Sequence, residues 1–345
     1  MEGDVKMADT STLLVKENKN YFGKLTKRMN DFRENVLESK PYVDAERAIY
    51  ATESYKKNQD KPVALKRAYM LKNILENMTI YIEDETLIVG NQAKANGSAP
   101  IFPEYAMDWV VNELDEFEKR DGDVFYITEE TKEQLREIEP FWEHNTTKEK
   151  GLAAIPEKSR IFYDLGIIKA EGNITSGDAH IAVEYEKVIK EGLKSYEKYT
   201  KDMLAKMNLT NVEDMEKSYF YEAVLIVIEA IRNFAKRYSD LAAKMAETGK
   251  DPKRLKELKE IARVMNKVPY ESADSYYESL QSIWLVHLVL QIESNGHSLS
   301  YGRMDQYLYS YYKNDLEKGL INEDEACELL TNLWIKTLTI NKIRS

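Results

Sequence analysis

A chain of 345 residues accommodates one large domain or two ordinary ones, and 43% hydrophobic with 32% charged residues describes a globular protein with a real core. The net charge of −11, with every Lys/Arg run interleaved with Asp and Glu, argues against a nucleic-acid surface. One cysteine, Cys327, excludes an internal disulfide framework and a cysteine-rich metal site. No apolar run approaches the ~20 residues of a membrane span, and no signal-peptide pattern opens the chain. The sequence therefore predicts a cytosolic protein that binds neither nucleic acid nor membrane.

Residues 1–20 are polar and unpatterned and read as a loose tail, with Met7 an alternative start. Helical periodicity follows over about 21–38, ended by Lys40-Pro41, then over about 44–57 and 61–77. The period then changes: Met78–Ile82 and Thr86–Gly90 flank Glu83-Asp84-Glu85 and predict a β-hairpin. A loop at 96–100 precedes a helix over 103–119 that carries Trp109. Thr128 caps a helix running to about Ile138, with Glu129 and Glu130 suited to its positive end. The segment from Pro140 to Leu165 reads as irregular, and 169–178 as a polar connection. A long helix over 179–207 places Ile181, Val188, Leu193, Tyr196 and Met203 along one side. Helices over 212–248, 253–268 and 273–292 follow, and Cys327 sits in a further helical pattern over 323–330, where acidic neighbours make it a poor nucleophile.

The stretch from Tyr276 to Tyr312 organises the rest. Its apolar part, Ile283 to Ile292, predicts burial on all sides. It breaks into Glu293-Ser294-Asn295-Gly296-His297-Ser298, a polar cluster that is either a satisfied structural network or the floor of a site. Gly296 supplies freedom for a close approach, and His297 with Ser298 offers a titratable ring beside a hydroxyl.

Of the four histidines, His144 lies in a polar, solvent-facing segment, and His287 in the apolar run reads as a core histidine. His180 is expected in the first turn of a helix capped by Asp178, where the helix dipole disfavours the imidazolium and favours a neutral, hydrogen-bonding ring. A plain capping-region histidine is the competing reading. No His-Glu-x-x-His, cysteine pair, Walker loop or Gly-x-Gly-x-x-Gly is present, so neither metal nor nucleotide is assigned.

The string IESNGHSLSYGRMDQYLYSYY (292–312) resembles the N-terminal half of the glycyl radical enzymes of the pyruvate formate-lyase superfamily, and within them the B12-independent glycerol and propane-1,2-diol dehydratases. GDAHIAVEYEKV (177–188), ETLIVGN (85–91), IFPEY (101–105) and ERAIYATESY (46–55) support it in order, so the resemblance covers about 21–345. Ser310 stands where the family often has proline. The resemblance implies an α/β fold, a ten-stranded barrel wrapped in helices. This chain would supply its mainly α-helical N-terminal portion with a small hairpin and the first barrel strand or strands. His180, His297 and Ser298 match positions that hydrogen-bond substrate hydroxyls, and no catalytic residue is assigned in this chain.

The family's Gly-Cys-Val-Glu loop and its C-terminal glycine-radical loop are absent from the sequence. The chain is therefore expected to be a fragment, inactive alone and exposing apolar surface that a missing C-terminal half would cover. The resemblance further implies a small diol substrate, no bound cofactor, and a glycyl radical installed in the full-length enzyme by an S-adenosylmethionine/iron–sulfur activase. It also implies a homodimer when complete and an anaerobic setting. Alternative readings are another superfamily decarboxylase, lyase or formate acetyltransferase, and a non-catalytic helical fragment that complements a separate C-terminal half.

Overall fold

In the computed structural model, which describes residues 25–169 and 171–344, the apolar run forms a helix enclosed on all sides. The N-terminal tail expected over 1–20 lies outside the described residues. In chain order the helices are α1 (Lys27–Glu38), α2 (Glu46–Lys57), α3 (Val63–Asn77), α4 (Asp108–Asn112), α5 (Glu129–Trp142), α6 (Thr147–Ala153), α7 (Glu157–Asp164) and α8 (Glu171–Ser176). They continue as α9 (Tyr185–Leu204), α10 (Val212–Thr248), α11 (Pro252–Lys267), α12 (Tyr276–Glu293), α13 (Met304–Tyr307), α14 (Tyr309–Glu317) and α15 (Glu323–Leu338). The fold is thus mainly α-helical, as expected for this portion. Two short strands, β1 (Val43–Asp44) and β2 (Ala99–Pro100), pair in parallel.

Local chemistry sets several of the helix starts. Thr26, Thr128, Asn211, Asp251, Ser275 and Asn322 each accept a hydrogen bond from a first-turn amide of the helix they precede. Helix α10 spans 37 residues and packs its buried stripe, Ile228, Ile231, Phe234 and Tyr238, against α3 and α11. Leu280, Ile283, Trp284, Leu285 and Leu288 of α12 are fully buried within that same core. Burying a Leu or Ile side chain contributes about 1.5–3 kcal/mol, so this packing, more than helix propensity, holds α12 in place.

Four local expectations are corrected. No hairpin forms over 78–90. The segment turns at Asp84-Glu85, but helix side chains take up the backbone groups that a second strand would have paired. Asn332 Oδ1 accepts from Leu87 N (3.2 Å) and Ile88 N (2.8 Å), and Gln281 exchanges two bonds of 2.9 Å with Val89. Arg254 donates to the carbonyls of Glu83 and Thr86. The helix expected over 103–119 shrinks to α4 and a short 3-10 turn at Phe117–Lys119. The "irregular" 140–165 segment instead holds α6, opened by a Thr146/Glu149 capping box, and α7.

The helix expected from 179 starts only at Tyr185, and it breaks at Gly192, where φ is +69°. There Leu193 N and Lys194 N donate to Pro269 O and Tyr270 O, each at 2.9 Å. A Cβ at Gly192 would stand 2.4 Å from Tyr270 O, so this crossing requires glycine.

Candidate functional site

Helix α12 ends at Glu293, leaving its last carbonyls without helical partners. Cationic side chains from two parts of the chain, α2 and the segment after α15, bond these carbonyls and those just beyond them. Arg47 on α2 donates to Ile292 O (2.7 Å) and Glu293 O (3.3 Å), and Lys342 Nζ donates to Gln291 O and Ser294 O, both at 2.8 Å. Arg344 donates to Asn295 O at 2.7 Å. Positive charge at a helix C-terminus also complements the helix dipole. Arg47 is further paired with Glu104 (2.5 and 3.1 Å), both side chains being buried, and Arg67 pairs with Glu293 and donates to Tyr105 Oη at 3.1 Å. Burial, followed by the nearby Arg47 and Arg344 guanidiniums, holds the Lys342 ammonium well below the usual lysine pKa.

Beyond Ser294 the chain runs extended alongside residues 177–183. His180 N donates to His297 O at 2.9 Å, Ser300 N donates to Ile181 O at 2.8 Å, and Ala182 and Ser300 form a parallel bridge. The two segments touch at Gly296, where a Cβ would fall 1.3 Å from Asp178 O. Gly177, at φ +84°, has the Tyr105 ring 2.4 Å from where its Cβ would be. The Ser294 hydroxyl ties the crossing together, donating to Asp178 O (3.3 Å) and accepting from Gly296 N (3.2 Å).

This crossing brings together His180 and His297, 117 positions apart in the sequence, with ring centroids 4.8 Å apart and planes at 77°. His180 (φ +58°) and Ser298 (φ +60°) both occupy the left-handed backbone region, a conformation that costs a non-glycine residue about 1–3 kcal/mol and clusters at functional sites. His180, His297 and Ser298 are exposed, so their side chains are open to a ligand. The expected placement of His180 in a helix capped by Asp178 is overturned. Residues 177–183 are non-helical because pairing with 297–300 takes up their backbone groups, and the dipole argument for a neutral His180 lapses with the helix.

The other histidines separate cleanly. His287 is buried, with its Nε2 hydrogen-bonded to Gln291 Nε2 (3.3 Å) and its Nδ1 to the Tyr185 hydroxyl (2.8 Å), so both ring nitrogens are satisfied. Its ring stacks on Tyr301 at 4.4 Å, and desolvation, with a smaller contribution from Lys342, lowers its pKa to about 4. This is a satisfied core histidine. His144 is exposed beside Glu143 and Glu149, and Cys327 is free and exposed. Among the described residues no group of three or more His, Cys, Asp or Glu converges in a way that would hold a metal. Surface grooves lined by Glu191, Lys194 and Tyr270, and by Arg28, Asp84 and Arg254, include no residue of either histidine segment.

Sequence reasoning missed the cationic collar around the end of α12. Arg47, Glu104 and Tyr105 lie within the ERAIY and IFPEY strings, but nothing in a charged residue's neighbours signals that its partner is a helix terminus some 245 positions away.

Comparison with known proteins bears on this arrangement. The model of the family described as pyruvate formate lyase-like matches residues 24–345. A protein of Escherichia coli K12 named probable dehydratase YbiW is 39% identical over 307 residues, covering 89% of this chain and 38% of its own length. The (2S)-3-sulfopropanediol dehydratase of Klebsiella oxytoca is 32% identical, covering 92% of this chain and 39% of itself. The glycerol-bound B12-independent glycerol dehydratase from Clostridium butyricum superposes with a TM-score of 0.90 at 38% identity, over 93% of this chain and 41% of that one. The chain thus spans about two fifths of the length of these relatives. With both the family model and the fold matched over nearly all the described residues, the chain belongs to the pyruvate formate lyase-like family of glycyl radical enzymes.

Proposed function

We propose that residues 21–345 are the N-terminal part of a glycyl radical diol dehydratase, in which His180, His297 and Ser298 hold the two hydroxyls of a small vicinal diol such as glycerol or propane-1,2-diol. The observation that carries this reading is the meeting of the two imidazoles at 4.8 Å on a strained, glycine-dependent crossing of two segments. Two ring edges and a hydroxyl, each able to donate and accept, suit a ligand with hydroxyls on neighbouring carbons. The names of the dehydratase relatives support the same substrate class.

In the proposed reaction the family's cysteine radical takes a hydrogen atom from one hydroxyl-bearing carbon, the adjacent hydroxyl departs as water with the proton that the remaining hydroxyl gives up, and the same hydrogen atom is returned to the product radical, giving an aldehyde. The family's cysteine, glutamate and radical glycine stand in motifs that this chain does not carry, so this portion supplies orientation, a large share of the work where a reactive intermediate must be steered. The radical would be installed by an S-adenosylmethionine/iron–sulfur activase, and the complete protein would be a cytosolic homodimer. Trp334 and Leu338, half exposed on α15 with Trp334 edge-on to Tyr301, support a further part of the polypeptide covering this face.

The test uses a full-length protein in which this chain is continued by the cysteine and glycine loops, activated anaerobically and assayed with both diols. His180→Ala and His297→Ala should each lower kcat/KM about five- to hundred-fold, the equivalent of one unpaired buried polar group at ~1–3 kcal/mol, and His144→Ala should be near silent. Radical yield by electron paramagnetic resonance separates failed activation from failed turnover. Normal radical and parental turnover in both histidine variants would refute the assigned roles. A parent that forms radical and leaves both diols untouched would move the reading to a lyase or decarboxylase.

A further inference from the structure

We propose that Lys342 is a positioning residue for the His180–His297 pair, acting through Ser294 at the end of α12; the inference rests on the proposed function only in taking that pair as the site. Lys342 Nζ donates to Gln291 O in the last turn of the helix and to Ser294 O just past its end, both at 2.8 Å, bridging the point where helix becomes loop. No helical amide is left to satisfy these carbonyls. The next link is Ser294, whose hydroxyl bonds Asp178 O and Gly296 N on the two crossing segments. The last link is the His180 N to His297 O hydrogen bond, two residues beyond Asp178 on the first segment and one beyond Gly296 on the second.

Lys342 reaches this point from the extended segment after α15. That segment is itself anchored, since Asn341 O accepts from Gln92 Nε2 (2.7 Å) and Asn341 Nδ2 donates to Gly97 O (2.9 Å). Two features set Lys342 apart from an ordinary helix-capping lysine. Its ammonium lies over the Phe102 ring at 4.8 Å, sharing that ring with Arg47 at 3.7 Å. It also sits among like charges, Arg47 and Arg344, with Glu293 as the acidic neighbour. Enclosing an ammonium beside two guanidiniums is unfavourable, so the two bonds to Gln291 O and Ser294 O must offset that cost. The loop geometry is what those bonds fix.

Because the chain holds four histidines, imidazole signals of isotope-labelled protein report on the site directly and without substrate. In Lys342→Met, of similar length but without donors, the ring-to-ring nuclear Overhauser effect between His180 and His297 should fall several-fold, while the His287 signals stay in place. Lys342→Arg, which restores two donors, should recover the effect. A merely structural lysine would lower the melting temperature and leave the His180–His297 signals unchanged, and that result overturns the proposal. If Lys342→Met does not fold, Ser294→Ala cuts the relay one link later. It should lose the same Overhauser effect with a near-parental melt, and an unchanged effect in this variant overturns the proposal equally. Loss of diol turnover plays no part in this readout, so the inference can fail while the proposed function stands, and the reverse.

Discussion

Gly296→Ala is the most direct probe of the crossing. The new methyl would stand 1.3 Å from Asp178 O and 2.4 Å from its carbonyl carbon, against an ordinary contact distance of 3.4 Å or more. The deficit, 3.4 minus 1.3, is about 2 Å, and the obstacle is backbone, which cannot rotate aside. Separation by that amount breaks three hydrogen bonds: Ser294 Oγ to Asp178 O, His180 N to His297 O, and Ser300 N to Ile181 O. At a net ~1 kcal/mol each, the loss is about 3 kcal/mol, or roughly two orders of magnitude in the equilibrium for local opening at ~1.4 kcal/mol per factor of ten. Amide hydrogen exchange read by mass spectrometry should therefore speed up about a hundredfold in peptides covering 177–183 and 296–301. Peptides from α10 and α12 should keep their protection, because stability is distributed locally. Gly122→Ala, with nothing within 4 Å and no left-handed backbone, is the matched silent control. Parental exchange in both site peptides of Gly296→Ala would show that the close approach is not as drawn and would refute the reasoning.

Two further outcomes follow from the buried groups. The His287 pKa of about 4 lies below the ordinary 6.5, so the unfolded chain takes up the proton first as pH falls. Stability from this group is complete above about pH 6.5 and declines between there and pH 4, by about 3 kcal/mol in all; His287→Gln should flatten that part of a denaturation-versus-pH profile, and an unaltered slope would count against a neutral buried ring. Arg47→Met leaves Glu104 buried without its partner and removes the donors to Ile292 O and Glu293 O. It should cost roughly 3–5 kcal/mol in urea denaturation, whereas Lys190→Met, in an exposed pair on α9 that solvent screens, should be near silent.

Much of the helical framework was legible in the sequence, because helix periodicity and capping act over a few residues. The Val212–Thr248 helix starts and stops where its pattern does, with Asn211 as its cap. Thr128 caps α5 as expected, although that helix runs on through Pro140 to Trp142. The unrelieved apolar run from Ile283 to Ile292 could only be central, and it is. The strings at 177–188 and 292–312 were likewise enough to point to the family.

Tertiary structure decided the rest, wherever a distant partner competed for the backbone. Residues 78–90 look like a hairpin, yet Asn332, Gln281, Arg254 and Tyr277 claim the groups a second strand would have bonded. Residues 179–184 carry helical signals, yet pairing with 297–300 holds them out of the helix and turns His180 into the left-handed region. The collar of Arg47, Lys342 and Arg344 could not be foreseen for the same reason. A helix C-terminus attracts any cation that the fold brings near, and which cation arrives is a property of the assembled chain, in which positions 47, 292 and 342 become neighbours.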